Sequence, residues 1–167
     1  MPRPVPKPVG APPAESCLRL KGESWWTHMQ SDLKNARDLE IASYCMDEAR
    51  LFSTVAELLL ACKVNLYIDK EMLADATKEK QHRRVRQLHR KGAHVYVLKG
   101  LRSLGSFHSK PLIINRRIMF FGGANVTDRA KSDNRETTFR ATRQVVEEIL
   151  EDAADWRAAG ALWDGKF

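Results

Sequence analysis

The segment Ser106-Phe107-His108-Ser109-Lys110-Pro111-Leu112-Ile113-Ile114-Asn115 decides how this chain folds, together with the residues after it: Arg116-Arg117, Ile118-Met119-Phe120-Phe121 and Gly122-Gly123-Ala124-Asn125. Two apolar, β-rich runs, Phe107 to Asn115 and Ile118 to Phe121, flank a short polar break. That pattern predicts a hairpin turned at Asn115-Arg116-Arg117. Alternate residues of a strand share a face. His108 and Lys110 would then stand side by side, an imidazole next to a fixed cation.

Working outward, Leu39 to Met46 reads as a strand closed by Asp47-Glu48. The next segment is an amphipathic helix with Leu51, Phe52, Val55, Ala56, Leu59 and Cys62 on its apolar side. Val64 to Ile68 is a buried strand stopped at Asp69-Lys70. Met72 to Lys91 is a basic helix with Gly92 as its natural stop, and His94 to Leu98 is a third strand. Beyond the hairpin, a short strand near Thr137 to Arg140 precedes a long closing helix whose apolar side carries Val145, Val146, Ile149, Leu150, Ala153 and Trp156. Alternating strands and helices followed by a hairpin predict an α/β sandwich, a mixed β-sheet flanked by helices. Residues 1–23 read as a flexible, proline-rich lead-in. The folded domain is expected over 24–167, with Trp25 and Trp26 packed against its body or a partner chain.

The chain has 167 residues, enough for one domain with a substantial core, and is 43% hydrophobic and 29% charged. A net charge of +7 favours a polyanionic partner, either nucleic acid or an acidic lipid surface. No run approaches the roughly 18 apolar residues of a membrane span, and the first residues lack the apolar centre of a secretory signal. Cys17, Cys45 and Cys62 have no metal-ligand spacing and suggest reduced thiols in an intracellular compartment, cytoplasmic or organellar. His82 and His89 lie one heptad apart and His94 follows, yet no nearby side chain completes a ligand set, so neither metal nor cofactor is expected. In the helix before Gly92, Lys78, Lys80, Arg83, Arg84, Arg86, Arg90 and Lys91 are interrupted by a single acid, Glu79. Such a face suits contact with a phosphate backbone. Arg102, Arg116, Arg117, Arg129, Lys131 and Arg135 would extend the positive character through loops near the His108 motif, adding affinity but no base specificity.

A nucleophile beside a cation suits attack on a phosphodiester, whose phosphorus is shielded by negative oxygens. His108-Ser109-Lys110, then Gly122-Gly123-Ala124-Asn125, then Glu136, in that order, resemble the phospholipase D superfamily. The likeness is to its single-motif members, the bacterial endonucleases and the mitochondrial cardiolipin hydrolase/piRNA nuclease, and it spans roughly Asp38 to Trp163. The family pattern is His-x-Lys, four residues, then Asp, followed by Gly-Ser-x-Asn and a downstream Glu. Here Asn115 stands in the aspartate's place and Gly123 in the serine's.

The resemblance implies a metal-independent phosphodiesterase. His108 of one subunit would form a covalent phosphohistidine, and His108 of the second would protonate the leaving oxygen and then activate water. Lys110 and Asn125 would bind the non-bridging oxygens, and Glu136 would orient the imidazole. One motif per chain implies a homodimer with its site on the two-fold axis. The first expectation is an endonuclease acting on DNA or RNA. A cardiolipin or phospholipid hydrolase ranks lower, because the sequence shows neither a membrane anchor nor an apolar entrance. A catalytically inactive nucleic-acid-binding module on the same fold is the third reading, motivated by Asn115 and Gly123. Asn115 lies an odd number of residues after His108, so a regular strand would point it to the opposite face, in a supporting role. Pro111 is unusual in a central strand, since it cannot donate a ladder hydrogen bond.

Overall fold

The computed structural model describes residues 17–20, 24–43, 49–99, 110–122, 138–142 and 144–166. The expectations for residues 1–16, Cys45, Arg102, His108, Gly123, Asn125, Arg129, Lys131, Arg135 and Glu136 lie outside the described residues. In chain order the elements are β1 (Cys17–Leu20), α1 (Ser24–Leu33), β2 (Asp38–Ser43), α2 (Ala49–Leu58), β3 (Lys63–Asp69), α3 (Lys70–Ala74), a 3-10 turn (Ala76–Lys78) and α4 (Glu79–Arg90). They continue with β4 (His94–Leu98), β5 (Leu112–Ile114), β6 (Ile118–Gly122), β7 (Thr138–Thr142), α5 (Gln144–Ala159) and β8 (Ala161–Leu162).

All eight strands join one sheet in the order β1-β7-β6-β5-β2-β3-β4-β8. β2, β3 and β4 run parallel. The remaining pairings are antiparallel, so the sheet is mixed, as expected. Alternation along the strands divides the core in two. Leu39, Ile41, Val64, Leu66, Val95, Leu112, Ile114 and Phe120 pack with Trp26, Met29 and Leu33 of α1, Leu51 and Val55 of α2, and Val85 and Leu88 of α4. On the other face, Ile113, Met119 and Ala141 meet Val146 and Leu150 of α5, and Ala42, Tyr67 and Leu98 meet Ala153. Helices therefore cover both faces. This is why β3 is buried from Val64 to Asp69 and reads as a nearly continuous apolar run.

Local chemistry sets the boundaries, and several differ from those expected. The sheet begins before Ser24, because Cys17–Leu20 pairs with β7 as an edge strand. Four residues with only Leu20 buried carry no readable period. The basic helix predicted over Met72 to Lys91 is broken in the middle. Asp69 caps α3, its Oδ1 accepting from the Glu71 and Met72 amides at 2.7 and 3.3 Å. Asp75 accepts from the Thr77 amide at 2.9 Å and from the Thr77 hydroxyl at 2.6 Å. A short acceptor side chain that binds nearby backbone competes with the helical ladder, and here it restarts the helix. The stop at Gly92 is as expected: at φ +105 it donates to the His89 carbonyl while the Ala93 amide reaches back to Leu88. That is a Schellman closure, which glycine adopts without strain. After α5 the chain adds β8 rather than ending in a helix.

The hairpin turn is tighter than its sequence suggests. Asn115 and Arg116 both have positive φ, 52 and 57, and the Arg117 amide donates to the Ile114 carbonyl at 3.1 Å. Two successive left-handed residues make a type I′ turn, which suits Asn at the first position and Gly at the second. Arg116 therefore carries backbone strain of about 1 kcal/mol. Arg116→Gly is expected to raise stability by roughly 0.5 kcal/mol once glycine's larger unfolded entropy is subtracted. Calorimetry should show Tm rising by about 1–2 °C. A lower Tm would mean that the turn is not strained.

Candidate active site

Lys110 sits two residues before β5, half-buried, at the end of the sheet where the parallel strands finish. The Ala42 amide on β2 donates to the Pro111 carbonyl at 2.9 Å. The ladder thus continues on the β2 side through the proline's acceptor, and Pro111, lying just ahead of the strand, omits no bond that β5 requires. Leu112 pairs with Phe120, and β6 ends at Gly122, whose register partner is Thr138 on β7. Lys110, Gly122 and Thr138 are therefore gathered at one end of three adjacent strands.

Between β5–β6 and α5, Lys110 and Gly122 share a cleft of about 330 Å³ with Pro111, Met119, Phe121, Val145 and Ile149. Phe121 stacks on Phe139 with ring centroids 5.5 Å apart. Among the described residues the walls are apolar and Lys110 is the cation in the lining. Such a site can lodge an uncharged portion of a molecule while the ammonium meets an anionic one. No run of the sequence announces this apolar cleft. Its walls come from β5, β6 and α5, which meet only in the folded chain.

The expected phosphate-contacting cations separate into distinct groups. β3 ends at Asp69 on the Lys110 side, and α4 runs back from there to the start of β4, so Lys78 and Lys80 lie toward the Lys110 end of the sheet. Arg83, Arg86 and Arg90 line an outward groove of α4 with Glu79 and Gln87. Arg84 turns aside and stacks its guanidinium over the Phe52 ring at 5.4 Å, packing α4 onto α2. Arg90 and Lys91 mark the far end of the helix. Arg116 and Arg117 are at the tip of the β5–β6 hairpin, the end opposite Lys110. Near Lys110 in sequence, they are remote from it in space, because one strand length separates them.

Asn115 is explained at that same remote end. Its Oδ1 accepts from the Arg37 and Asp38 amides at 2.7 and 3.2 Å, and its Nδ2 donates to the Asn35 carbonyl at 3.0 Å. The side chain ties the hairpin to the α1–β2 connection. An aspartate could keep the first two bonds but would face the Asn35 carbonyl with a second acceptor. Asn115→Asp is accordingly expected to lose about 1–2 kcal/mol of stability, seen as a lower denaturation midpoint, with no gain in turnover. Faster turnover in the variant would contradict this placement.

A buried polar network on the α5 face escaped the sequence reading. Glu40, 4% exposed, accepts from Asn65 Nδ2 at 3.1 Å, from the Tyr67 hydroxyl at 2.5 Å and from Arg157 Nη1 at 2.7 Å. Arg157 also donates to the Tyr67 oxygen at 2.7 Å, and His94 Nδ1 lies 3.3 Å from Asn65 Oδ1. Burial, then the bond to Glu40 and its charge, hold the Tyr67 hydroxyl far above its ordinary pKa. For Arg157, burial opposes the charge, but Glu40 and Tyr67 outweigh it and the pKa is raised. The only sequence signal was a polar residue interrupting each of two apolar strands. Two further histidines have structural surroundings. His82 is buried with Nε2 3.1 Å from the Met72 carbonyl, and His89 packs on Trp163.

The sheet order, the crossovers and the site at the strand ends can be compared with known proteins. A family model described as "Cardiolipin synthase, PLD-like domain" matches residues 29–156, most of the chain. The chain belongs to this phospholipase D-like family. Nuc from Salmonella typhimurium, a phospholipase D family member, superposes with a TM-score of 0.74 at 16% identity, covering 89% of this chain and 99% of that one. NucT from Helicobacter pylori gives 0.72 at 20% identity, covering 90% and 99%. Phosphatidylserine synthase from Haemophilus influenzae gives 0.72 at 16% identity, covering 93% of this chain and 41% of the synthase. At such identities the superpositions establish a shared phospholipase D-like fold. A search of curated proteins found no match. No helix among the described residues is long and apolar enough to cross a membrane.

Proposed function

We propose that the chain is a metal-independent phosphodiesterase, an endonuclease cleaving DNA or RNA through a phosphohistidine on His108 in a homodimer. The observation that carries this reading is the meeting of Lys110, Gly122 and Thr138 at one end of the sheet. These are the described residues closest in sequence to His108, Asn125 and Glu136. Lys110 would hold the non-bridging oxygens, Asn125 would add a neutral donor, and Glu136 would fix the imidazole's tautomer. Lys78, Lys80 and the Arg83, Arg86 and Arg90 groove of α4 would contribute salt-dependent affinity for the backbone.

A phospholipid substrate is the second reading, favoured by the apolar cleft beside Lys110. Both are tested by incubating purified protein in EDTA with single-stranded and duplex nucleic acid and, separately, with cardiolipin vesicles. Shortened polynucleotide supports the first reading, and released phosphatidic acid the second. Absence of both products would leave the inactive binding module.

A further inference from the structure

The end of the sheet opposite Lys110 carries a second concentration of positive charge. Lys34 and Arg37 lie in the α1–β2 connection, Lys63 opens β3, and Arg116 and Arg117 form the hairpin tip. All five are exposed. Their backbones are fastened together: the Lys63 amide donates to the Arg37 carbonyl at 2.9 Å, and the Asn115 amide to the Asp38 carbonyl at 2.8 Å. Asn115 Oδ1 adds its bond from Arg37, so the cations sit on one fixed surface. Among the described residues, none of the five forms an ion pair. Acids close to these cations in the chain include Asp32 in the last turn of α1, paired with Arg140, Asp38, half-buried with Oδ1 enclosed, and Glu57 in the last turn of α2.

Leu60 projects from the turn that leads into Lys63 and is 92% exposed. A lone exposed leucine needs no explanation. One fixed among exposed cations does, because the pairing matches a surface that offers anions above an apolar layer. Arg116 adds a second sign: it keeps a charged side chain at a strained position that glycine would fill without strain.

We propose that this end of the molecule docks on an anionic phospholipid bilayer. Lys34, Arg37, Lys63, Arg116 and Arg117 meet headgroup phosphates, and Leu60 enters the boundary between headgroups and acyl chains. A polynucleotide would satisfy the cations but would leave Leu60 in water, so the leucine decides for the bilayer. Docking there turns the Lys110 end toward the solution, where it can meet a nucleic acid but not a lipid of the same bilayer, so the docking accords with the first functional reading and not the second.

The full chain is sedimented with phosphatidylcholine vesicles and with vesicles that also contain phosphatidylserine. Binding should favour the anionic vesicles and weaken with salt, by about fivefold for each cation removed. The Arg116→Gly/Arg117→Ala protein should therefore bind about 25-fold more weakly, while its Tm shows that the fold is intact. Leu60→Ser should weaken binding several-fold, and Arg83→Ala/Arg86→Ala on α4 should leave it unchanged. Equal binding to neutral vesicles, or no effect of the hairpin substitutions, would overturn the proposal. So would Leu60→Ser binding like wild type, which would make the surface a plain polyanion site.

Discussion

His108→Ala is expected to lower phosphodiester cleavage by about 10³-fold or more, measured by single-turnover kinetics in EDTA. Removing the nucleophile forces water to attack a phosphorus shielded by negative oxygens, with no covalent intermediate to divide the barrier. Lys110→Ala keeps the nucleophile but loses the cation that meets charge developing in the transition state, and should cost about 10²-fold. Denaturing the wild type at alkaline pH during turnover, where the acid-labile N–P bond persists, should trap the phosphoryl-bearing fragment of the substrate on the protein, whereas the His108→Ala protein should trap none. Cleavage by the His108→Ala protein at the wild-type rate would end the enzymatic reading.

The largest effect on stability is expected from Arg157→Leu. The Glu40 carboxylate is buried, and Arg157 supplies its cation at 2.7 Å. Without Arg157 the charge stays buried with, among the described residues, the Asn65 amide and the Tyr67 hydroxyl to solvate it, which costs about 3 kcal/mol. In a domain of this size that lowers Tm by about 10 °C. The Glu40→Gln/Arg157→Leu double variant should recover much of the loss, because the neutral amide no longer needs a cation. A double variant as unstable as the single one would show that Arg157 acts through packing alone.

Both predictions rest on features with very different visibility in the sequence. The motif around Lys110 is contiguous, so residue type and spacing revealed it. The helix stop at Gly92 and the hairpin turn at Asn115 were legible for the same reason: each is closed by hydrogen bonds between near neighbours. The break at Asp75 was equally local but was masked by the continuous run of basic residues. β1 was invisible because an exposed edge strand of four residues has no apolar face to reveal. The Glu40 network could not be read at all, since Arg157 lies 117 residues away. Asn115 looked like a defect in a catalytic pattern until its partners, 77 to 80 residues distant, showed it fastening two connections.

The sequence by itself determined the α/β class and most strand and helix positions, because backbone preference and burial period act over a few consecutive residues. Tertiary structure alone decided which cations share a surface. A strand carries its two ends to opposite sides of the sheet, so Lys110 and Arg117, seven residues apart in the chain, serve different ends of the molecule. Lys34, Lys63 and Arg116, far apart in sequence, are brought to one end by pairing between strands.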